Sequence, residues 1–519
     1  MAQYDLKLLD CTLRDGGYIN GWKWGFKRAC EIVRELVKAK VDMVEVGFLR
    51  NVSTYNPDIT VCSRIEELNY ILPENYGNTM FSAMAMRSNY DISKLKPYGG
   101  HGIEMIRITA HDYDIESGLK FAYQVKEKGY KLSINPINIM GYSDEQILWI
   151  LKQVNIIQPY QFSIVDTFGS MKRRDLDRIV SLVDNNLDEN IRVALHLHEN
   201  MSLSCALAQE FVDKHLKRPV ALDGSLMGMG RIPGNLPVEL IADYLNDYTD
   251  ANYDIDYLMD AIQDYISPLK GDAEWGYTPA YFLSARFNLH RNYAEHYLKK
   301  GDLTIRDINH ILSHIERSKA TVFDRKYADN LYERYQMHQI DDNDSRERLK
   351  KQLKKRSLLV IAPGATINLY RDLIQSTIEE KVSVVIAVNF VPQDYKTDYV
   401  FFSNNKRFLK IEEFPCKVIA TSNLPEKNVD YYIDYNSLTD VLNQGCNSLI
   451  MLLKLLSQME VTKVLLAGAD GYKKDEVNYY SSNFRSYTNH DAHFNQEVSE
   501  TIHNLDINVD FLTPSEYDK

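Results

Sequence analysis

The chain has 519 residues, of which 45% are hydrophobic and 25% charged. That is ordinary globular composition with enough apolar content for a large core. It excludes disorder over most of the chain and, at roughly 100–200 residues per domain, predicts two to four domains. Lys plus Arg number 60 and Asp plus Glu 72, a formal charge of −12, so most of the surface repels a phosphate backbone and nucleic acid is not an expected partner.

The first five residues, MAQYD, hold neither a basic n-region nor an apolar h-region, so no secretory signal is expected. No apolar run approaches the ~18 residues of a membrane span. The run at 449–456 is interrupted by Lys454 and reads as a core helix. The six cysteines are scattered with no CxxC, which suits reduced thiols in a cytoplasmic protein better than a disulfide framework.

From residue 6 onward one rhythm repeats. Strands are predicted at 6–14, 42–48, 78–84, 103–109, 131–136, 161–167, 192–198 and 220–225. Amphipathic helical stretches lie between them, such as 26–40, 115–128, 143–155, 172–185, 202–215 and 236–246. Eight βα units in about 250 residues predict an α/β fold of the closed (β/α)8 TIM-barrel type over residues 1–270. An open doubly wound sheet is the alternative, but the turn after strand one is Arg14-Asp-Gly-Gly-Tyr18, not GxGxxG. Residues 271–340 read as a helical extension. Residues 341–356, DDNDSRERLKKQLKKR, read as a charged, solvated helix or linker and as the domain boundary. The α/β pattern then restarts over 357–519, with strands predicted at 357–362, 382–388, 399–403, 417–421, 464–467 and 509–512, a Rossmann-like open sheet.

Three segments at strand exits carry candidate chemistry, because a barrel builds its site at the C-terminal strand ends. In DCTLRDGG (10–17), Arg14 and Asp15 are either an ion pair or an oxyanion fork beside a hard oxygen ligand. In LHLHEN (195–200), His196 and His198 are two apart, so a strand turns both imidazoles to one face. With a carboxylate they make a two-histidine, one-carboxylate set suited to a divalent metal, the alternative being a hydrogen-bonded core pair. In LDGSLMGMGRIPGNLP (222–237), glycines 228, 230 and 234 precede a helix and Asn235 follows them. The loop either receives an anion or needs glycine only for its turns.

Together TLRDG, HLHENMSL and GMGRIPGN resemble the DRE-TIM metallolyase superfamily. That group includes hydroxymethylglutaryl-CoA lyase, isopropylmalate synthase and 4-hydroxy-2-oxovalerate aldolase. The short GMG…GN loop and the HxHxNxSL form are most similar to the aldolase branch. The resemblance covers residues 5–300. It implies Mn²⁺ or Mg²⁺ held by Asp15, His196 and His198, chelated in turn by a 2-oxoacid. A C3–C4 bond is then made or broken through a pyruvate enolate, with the metal as Lewis acid and Arg14 facing the same oxygen. Asp166, Thr167, Asn235 and Gly230 are implied substrate contacts. Glu45 either joins them or pairs with Arg14. The implied partners are a 2-oxoacid and an aldehyde, and a homo-oligomer is expected.

Two departures stand out. The aldolases carry a histidine base four residues after the arginine, where this chain has Tyr18. A phenol with a reference pKa of about 10 is a poor base at neutral pH, though it can relay a proton. The acyl-CoA-type loop after strand eight is missing, which argues against the lyase and synthase branches. Residues 275–290, WGYTPAYFLSARFNLH, are similar to aldolase-like proteins of surface-polysaccharide gene clusters, which suggests a sugar-derived aldehyde. The expected function is thus a metal-dependent aldolase. The alternatives are a Claisen-type enzyme using acyl-CoA and a non-catalytic barrel joined to a nucleotide-sugar-binding domain.

In the second domain, LLVIAPGATI (358–367) runs from strand to helix through Gly364, where a nucleotide phosphate could rest; a plain turn is the alternative. Residues 448–472 and NHDAH (489–493) are similar to bacterial sialyltransferase-like and motility-accessory domains, which would make His490 a base. Nucleotide or sugar binding, transferase activity and a scaffold or dimerisation role are the readings left for this domain.

Overall fold

The computed structural model describes residues 5–231, 233–270, 275–337, 339–426, 429–439, 447–473, 478–481 and 492–518. The chain divides into two compact units. One comprises residues 1–291 with 320–322, the other 292–319 with 323–519.

In the first unit eight barrel strands are joined in parallel: β1 Leu6–Asp10, β2 Met43–Leu49, β3 Met80–Ala85, β4 Ile103–Ala110, β5 Lys131–Pro136, β6 Gln161–Val165, β7 Arg192–His196 and β8 Val220–Gly224; a ninth, two-residue strand, Val61–Cys62, pairs in parallel with the end of β2. Each pairs with its sequence neighbour, and β1 pairs with both β8 and β2, so the sheet closes. Strands covered on both faces must be apolar throughout, and β2 and β3 are buried over their full length. The helices bury one stripe. In Phe26–Lys38 it is Ala29, Ile32, Val33 and Leu36, the i, i+3, i+4, i+7 spacing that faces the sheet.

The strand period of two sorts the lumen into layers. Leu9, Cys11, Met43, Met80, Met105, Ala194 and Ala221 form an apolar cluster distinct from the one under the helices. Two residues further along the same strand faces stand Glu45, Ser82, Arg107, His196 and Asp223, all buried. The barrel therefore changes from an apolar plug to a polar layer within one side-chain step toward its C-terminal end.

The second unit holds seven parallel strands: β9 Ser357–Ile361, β10 Val384–Val388, β11 Tyr399–Phe402, β12 Lys417–Thr421, β13 Tyr431–Ile433, β14 Lys463–Ala467 and β15 Val509–Phe511, in the order β13-β12-β11-β10-β9-β14-β15. Six match the predicted strands. The seventh, β13, is three residues long and sits among Asp and Tyr, where alternation is too short to register. Helix Ser448–Ser457 is buried on nearly every face, as the apolar residues on either side of Lys454 predict.

Two expectations need correction. The extension at 271–340 is not a body of its own. Residues up to Arg291 belong with the barrel, and helices Asn292–Lys300, Ile305–Ser313 and Arg325–Gln336 belong with the second unit. Nor is 341–356 a solvated linker. Asn343–Leu353 is a helix whose only two leucines, Leu349 and Leu353, lie four apart and insert into the second unit's core beside Leu358 and Val360. Among the described residues no helix is long and apolar enough to cross a membrane.

This assignment predicts that Leu353→Ala lowers the second unit's stability by about 2–5 kcal/mol. Exposed Lys351→Ala should stay within about 0.5 kcal/mol. Urea unfolding of the full chain checks this, and equally small effects would restore a solvated linker.

Candidate metal centre and barrel mouth

β1 stops four residues earlier than predicted. The Asp10 carboxylate accepts hydrogen bonds from the Thr12 backbone N–H at 2.9 Å and the Thr12 hydroxyl at 2.7 Å, which turns the chain into the helical turn Thr12–Asp15. On a strand, Arg14 and Asp15 would face opposite sides. On a helical turn they diverge by about 100° and both reach the lumen. Arg14 Nη1 lies 3.2 Å from Asp15 Oδ2.

β7 ends at His196, and His198 lies just beyond it, its backbone bridged to Asn235. The two rings are 5.1 Å apart, and their Nε2 atoms lie 3.4 and 3.9 Å from Asp15 Oδ2. Each Nδ1 is held from behind: that of His196 by Asp223 Oδ2 at 3.2 Å, that of His198 by the Asp166 carbonyl at 3.0 Å. A carbonyl can only accept, so His198 Nδ1 donates and Nε2 keeps its lone pair facing the site. Burial, then His196, push the His198 imidazole down to about 3, so it stays neutral. Burial opposes ionisation of Asp15, but Arg14, then the histidines, hold its carboxyl well below the usual range.

A closed circuit of charge surrounds these groups. Glu45 Oε2 accepts from Arg14 Nε at 2.6 Å and Arg107 Nη1 at 3.1 Å. Arg107 also binds Asn135 and Asp223. Asp223 meets His196, which meets Asp15, which meets Arg14. Three carboxylates (Asp15, Glu45, Asp223) and two guanidiniums (Arg14, Arg107) sum to one negative charge before His196 is counted, whose imidazole burial pushes down but Asp15 and Asp223 together raise above its usual value.

Asp15 Oδ2 and His198 Nε2 are buried and make no hydrogen bond. Buried lone pairs are rarely left so without a function. Asp15, His196 and His198 offer one ligand atom each, all within 4.8 Å of one another. An N2O set with a buried anion fits a divalent cation such as Mn²⁺, Mg²⁺, Fe²⁺ or Zn²⁺.

The other expected residues divide. Asn235 is fully buried behind Gly230, where a Cβ would stand 2.2 Å from the Asn235 amide nitrogen, and its Oδ1 is unpartnered. Gly230 thus makes room for Asn235. Thr167 reaches the rim, where its hydroxyl oxygen accepts the Asn138 N–H at 2.7 Å. The Asp166 carboxylate, expected to contact substrate, is instead committed to the N–H groups of Ser170 and Met171 at 2.9 and 3.0 Å. Its carbonyl serves the site by fixing His198. Glu45 takes the structural alternative, between two arginines. Tyr18 is 40% exposed at the mouth, its ring 4.8 Å from that of Trp22.

In the second unit the strand order reverses between β9 and β14, which is where an open α/β sheet binds ligands. Gly364 lies there, but the phosphate position is filled. The Asp470 carboxylate binds the Thr366 N–H at 2.8 Å and the Thr366 hydroxyl, and would repel an anion. Gly364 is needed because a Cβ would stand 2.3 Å from the Gly468 carbonyl. His490 lies outside the described residues.

Sequence reasoning missed Arg107 and Asp223. The signal was present: a lone arginine inside the apolar run IEMIRITA and an aspartate one residue before the end of VALDG, each on the lumen face.

Residues 107–264 match the family model described as HMGL-like. The barrel carries an HMGL-like domain. This agrees with the resemblance of the three motifs to the DRE-TIM superfamily. Over 233 residues the chain is 23% identical to an oxaloacetate decarboxylase of Mycobacterium tuberculosis. Over 235 residues it is 24% identical to a 4-hydroxy-2-oxovalerate aldolase of Pseudoalteromonas translucida. Each match takes in 44% of this chain and 66% of the relative, so the chain spans just under two thirds of the length of these relatives. Among solved structures, the N-terminal domain of a candidate aldolase from Bacteroides vulgatus is 24% identical, with a TM-score of 0.48 over 56% of this chain and 96% of that one. The family model ends before the second unit begins.

The geometry predicts that His196→Ala and Asp15→Asn each abolish Mn²⁺ binding in calorimetry while circular dichroism stays unchanged. Asp223→Asn, which alters the group that backs His196 and pairs with Arg107 but is not itself a ligand, should weaken binding about 10–100-fold. Unchanged affinity in all three would remove the proposed centre.

Proposed function

We propose that the barrel is a divalent-metal-dependent C–C lyase. In its most specific form it is an aldolase that makes or breaks the C3–C4 bond of a 4-hydroxy-2-oxoacid through a pyruvate enolate. The observation that carries this reading is that the buried Asp15 Oδ2 and His198 Nε2 make no hydrogen bond and face one another beside His196 and Arg14, the two histidines lying within the HMGL-like match. The names of the two curated relatives support it, since decarboxylating oxaloacetate and cleaving 4-hydroxy-2-oxovalerate both break C3–C4 of a 2-oxoacid.

A bound divalent cation supplies Lewis acidity toward the carboxylate and keto oxygens of a 2-oxoacid. Asp15, His196 and His198 hold it, and their buried backing by Asp223 and the Asp166 carbonyl fixes their direction. Arg14 lies beside Asp15 and is braced by Glu45. It contributes a fixed positive charge where the 2-oxygen becomes anionic, without reorganising as charge develops. The apolar plug beneath keeps water from that end of the lumen. In the cleavage direction the C4 hydroxyl must lose its proton. Tyr18 stands at the mouth in place of the family's histidine and can pass that proton to solvent through its hydroxyl.

A second reading is favoured by the same residue. Loss of CO2 from C4 of a 2-oxo-4-carboxylate leaves the same enolate and needs no base for a hydroxyl, so a site with Tyr18 can perform it without the family's histidine.

The test uses the full chain with Mn²⁺ in D2O. Metal-dependent exchange of the pyruvate methyl protons, followed by NMR, is expected. So is turnover with pyruvate plus an aldehyde, or with oxaloacetate. Turnover only with acetyl-CoA plus a 2-oxoacid would establish the Claisen alternative. Absence of both metal binding and exchange would leave a non-catalytic barrel. Tyr18→Phe separates the two lyase readings: aldol cleavage should fall by about 100-fold or more, and decarboxylation by about threefold at most.

A further inference from the structure

Two arginines at the barrel mouth differ from those in the lumen. Arg14 and Arg107 are each paired with two carboxylates. Arg231 and Arg50 form no ion pair among the described residues, in a chain where acids outnumber bases 72 to 60.

Arg231 lies in the GMGRIPGN loop after β8. Its backbone N–H is 3.3 Å from Asp15 Oδ1, which seats the residue against the candidate metal centre. Its guanidinium lies 5.9 Å from the Tyr18 ring centroid and 3.1 Å from His290 Nε2. Burial, then Arg231, push the His290 imidazole down to about 3, so it is a neutral acceptor that aims the guanidinium without cancelling its charge. Arg50 leaves the end of β2. Its guanidinium lies 4.6 Å from the Trp22 ring and 4.0 Å from that of Phe48, and its Nε is buried without a hydrogen bond. Trp22 joins the two: its ring packs against Tyr18, and its Nε1 donates to the Arg14 carbonyl at 2.8 Å. The order across the mouth is Arg231, Tyr18, Trp22, Arg50, with the metal ligands against Arg231 and Arg14.

The charges identify what is missing. The lumen carboxylates and guanidiniums sum to −1, a divalent cation held by neutral histidines brings the sum to +1, and one substrate carboxylate returns it to zero. Arg231 and Arg50 remain uncompensated after that. An arginine fork binds carboxylate or phosphate bidentately and with direction, which a hydroxyl-only substrate would not use.

We propose that the barrel mouth selects a substrate with a second anionic group, a carboxylate or phosphate on the aldehyde side of the scissile bond, with Arg231 as its main binding residue and Arg50 as a supporting one. The proposal rests on the C3–C4 lyase reading for the identity of the substrate, but not for the existence of the anion site.

The experiment has a kinetic and a binding arm on the Mn²⁺-loaded full chain. With pyruvate as partner, kcat/KM is measured for glyoxylate (carboxylate), glyceraldehyde 3-phosphate (phosphate), and neutral glycolaldehyde and glyceraldehyde. Wild type should prefer at least one anionic aldehyde over its neutral counterpart. Arg231→Ala should reduce that preference roughly 10–100-fold, Arg231→Lys less, and Arg50→Ala in the same direction as Arg231→Ala but less. The preferred anion tells carboxylate from phosphate. In the binding arm, calorimetric titration with succinate and with glycerol 3-phosphate should show at least tenfold weaker binding of one of them in Arg231→Ala. No anionic preference in wild type, or equal losses for charged and neutral aldehydes in Arg231→Ala, overturns the proposal. If wild type shows no metal-dependent pyruvate exchange, the lyase reading fails. The calorimetric arm then decides alone: weaker anion binding in Arg231→Ala upholds the site, and equal binding overturns it.

Discussion

Six side chains in the barrel lumen, Arg14, Glu45, Arg107, Asp223, His196 and Asp15, form one closed loop of contacts, and each is nearly inaccessible to solvent. Removing a single charge from water costs several kcal/mol, so no member could stand there alone. Each guanidinium is matched by two carboxylates, and Asp223 and Asp15 are each matched by an arginine and a histidine. A circuit of this kind contributes little net stability compared with an apolar core of equal volume. Its effect is on position: each member can move only if its neighbours move. Arg14, Asp15 and His196 are thereby fixed before any ligand arrives, which is the condition for electrostatic catalysis in a buried site.

The circuit exists because of strand geometry. Side chains two apart share a face, so a lumen layer of Met43, Met105, Ala194 and Ala221 is followed by one of Glu45, Arg107, His196 and Asp223. The apolar layer provides the barrel's packing, and the polar layer rests on it. The loops then add what strands cannot. A helical turn brings Arg14 and Asp15 to one side, and a glycine loop lets Asn235 approach the histidines. Stability and chemistry occupy successive layers of the same strands.

How much of this the sequence disclosed depended on whether a signal was local. The βα rhythm, the HxH spacing and the RD pair are local, and they located the barrel and the three candidate ligands. The ends of β1 and β7 were not legible, because Asp10 capping Thr12 and the bridge of His198 to Asn235 are contacts made only in the folded chain. Arg107 and Asp223 stand 116 residues apart, and no spacing announces that they meet. Asp166 illustrates the opposite error. Its position at a strand exit was read correctly, but its carboxylate is taken by the turn that follows it. At Asn343–Leu353 the charge-rich composition reads as solvated, whether helix or linker, and it outweighs the two leucines four residues apart that the structure buries.

Burial separates the arginines into two kinds by physical necessity. A guanidinium in the lumen cannot be left unpaired, so Arg14 and Arg107 had to acquire carboxylates for the fold to hold them there at all. At the mouth, water solvates part of the side chain, and the penalty for lacking an anion is small. Arg231 and Arg50 can therefore wait for a ligand at little cost to the fold. The aromatic pair Tyr18 and Trp22 lies between them. Arg231 lies over the Tyr18 ring and Arg50 over those of Trp22 and Phe48, so each guanidinium is positioned by an aromatic face and not by a carboxylate. A ring positions a cation without cancelling its charge, so the rim above the metal centre keeps both charges for a ligand that brings its own anion.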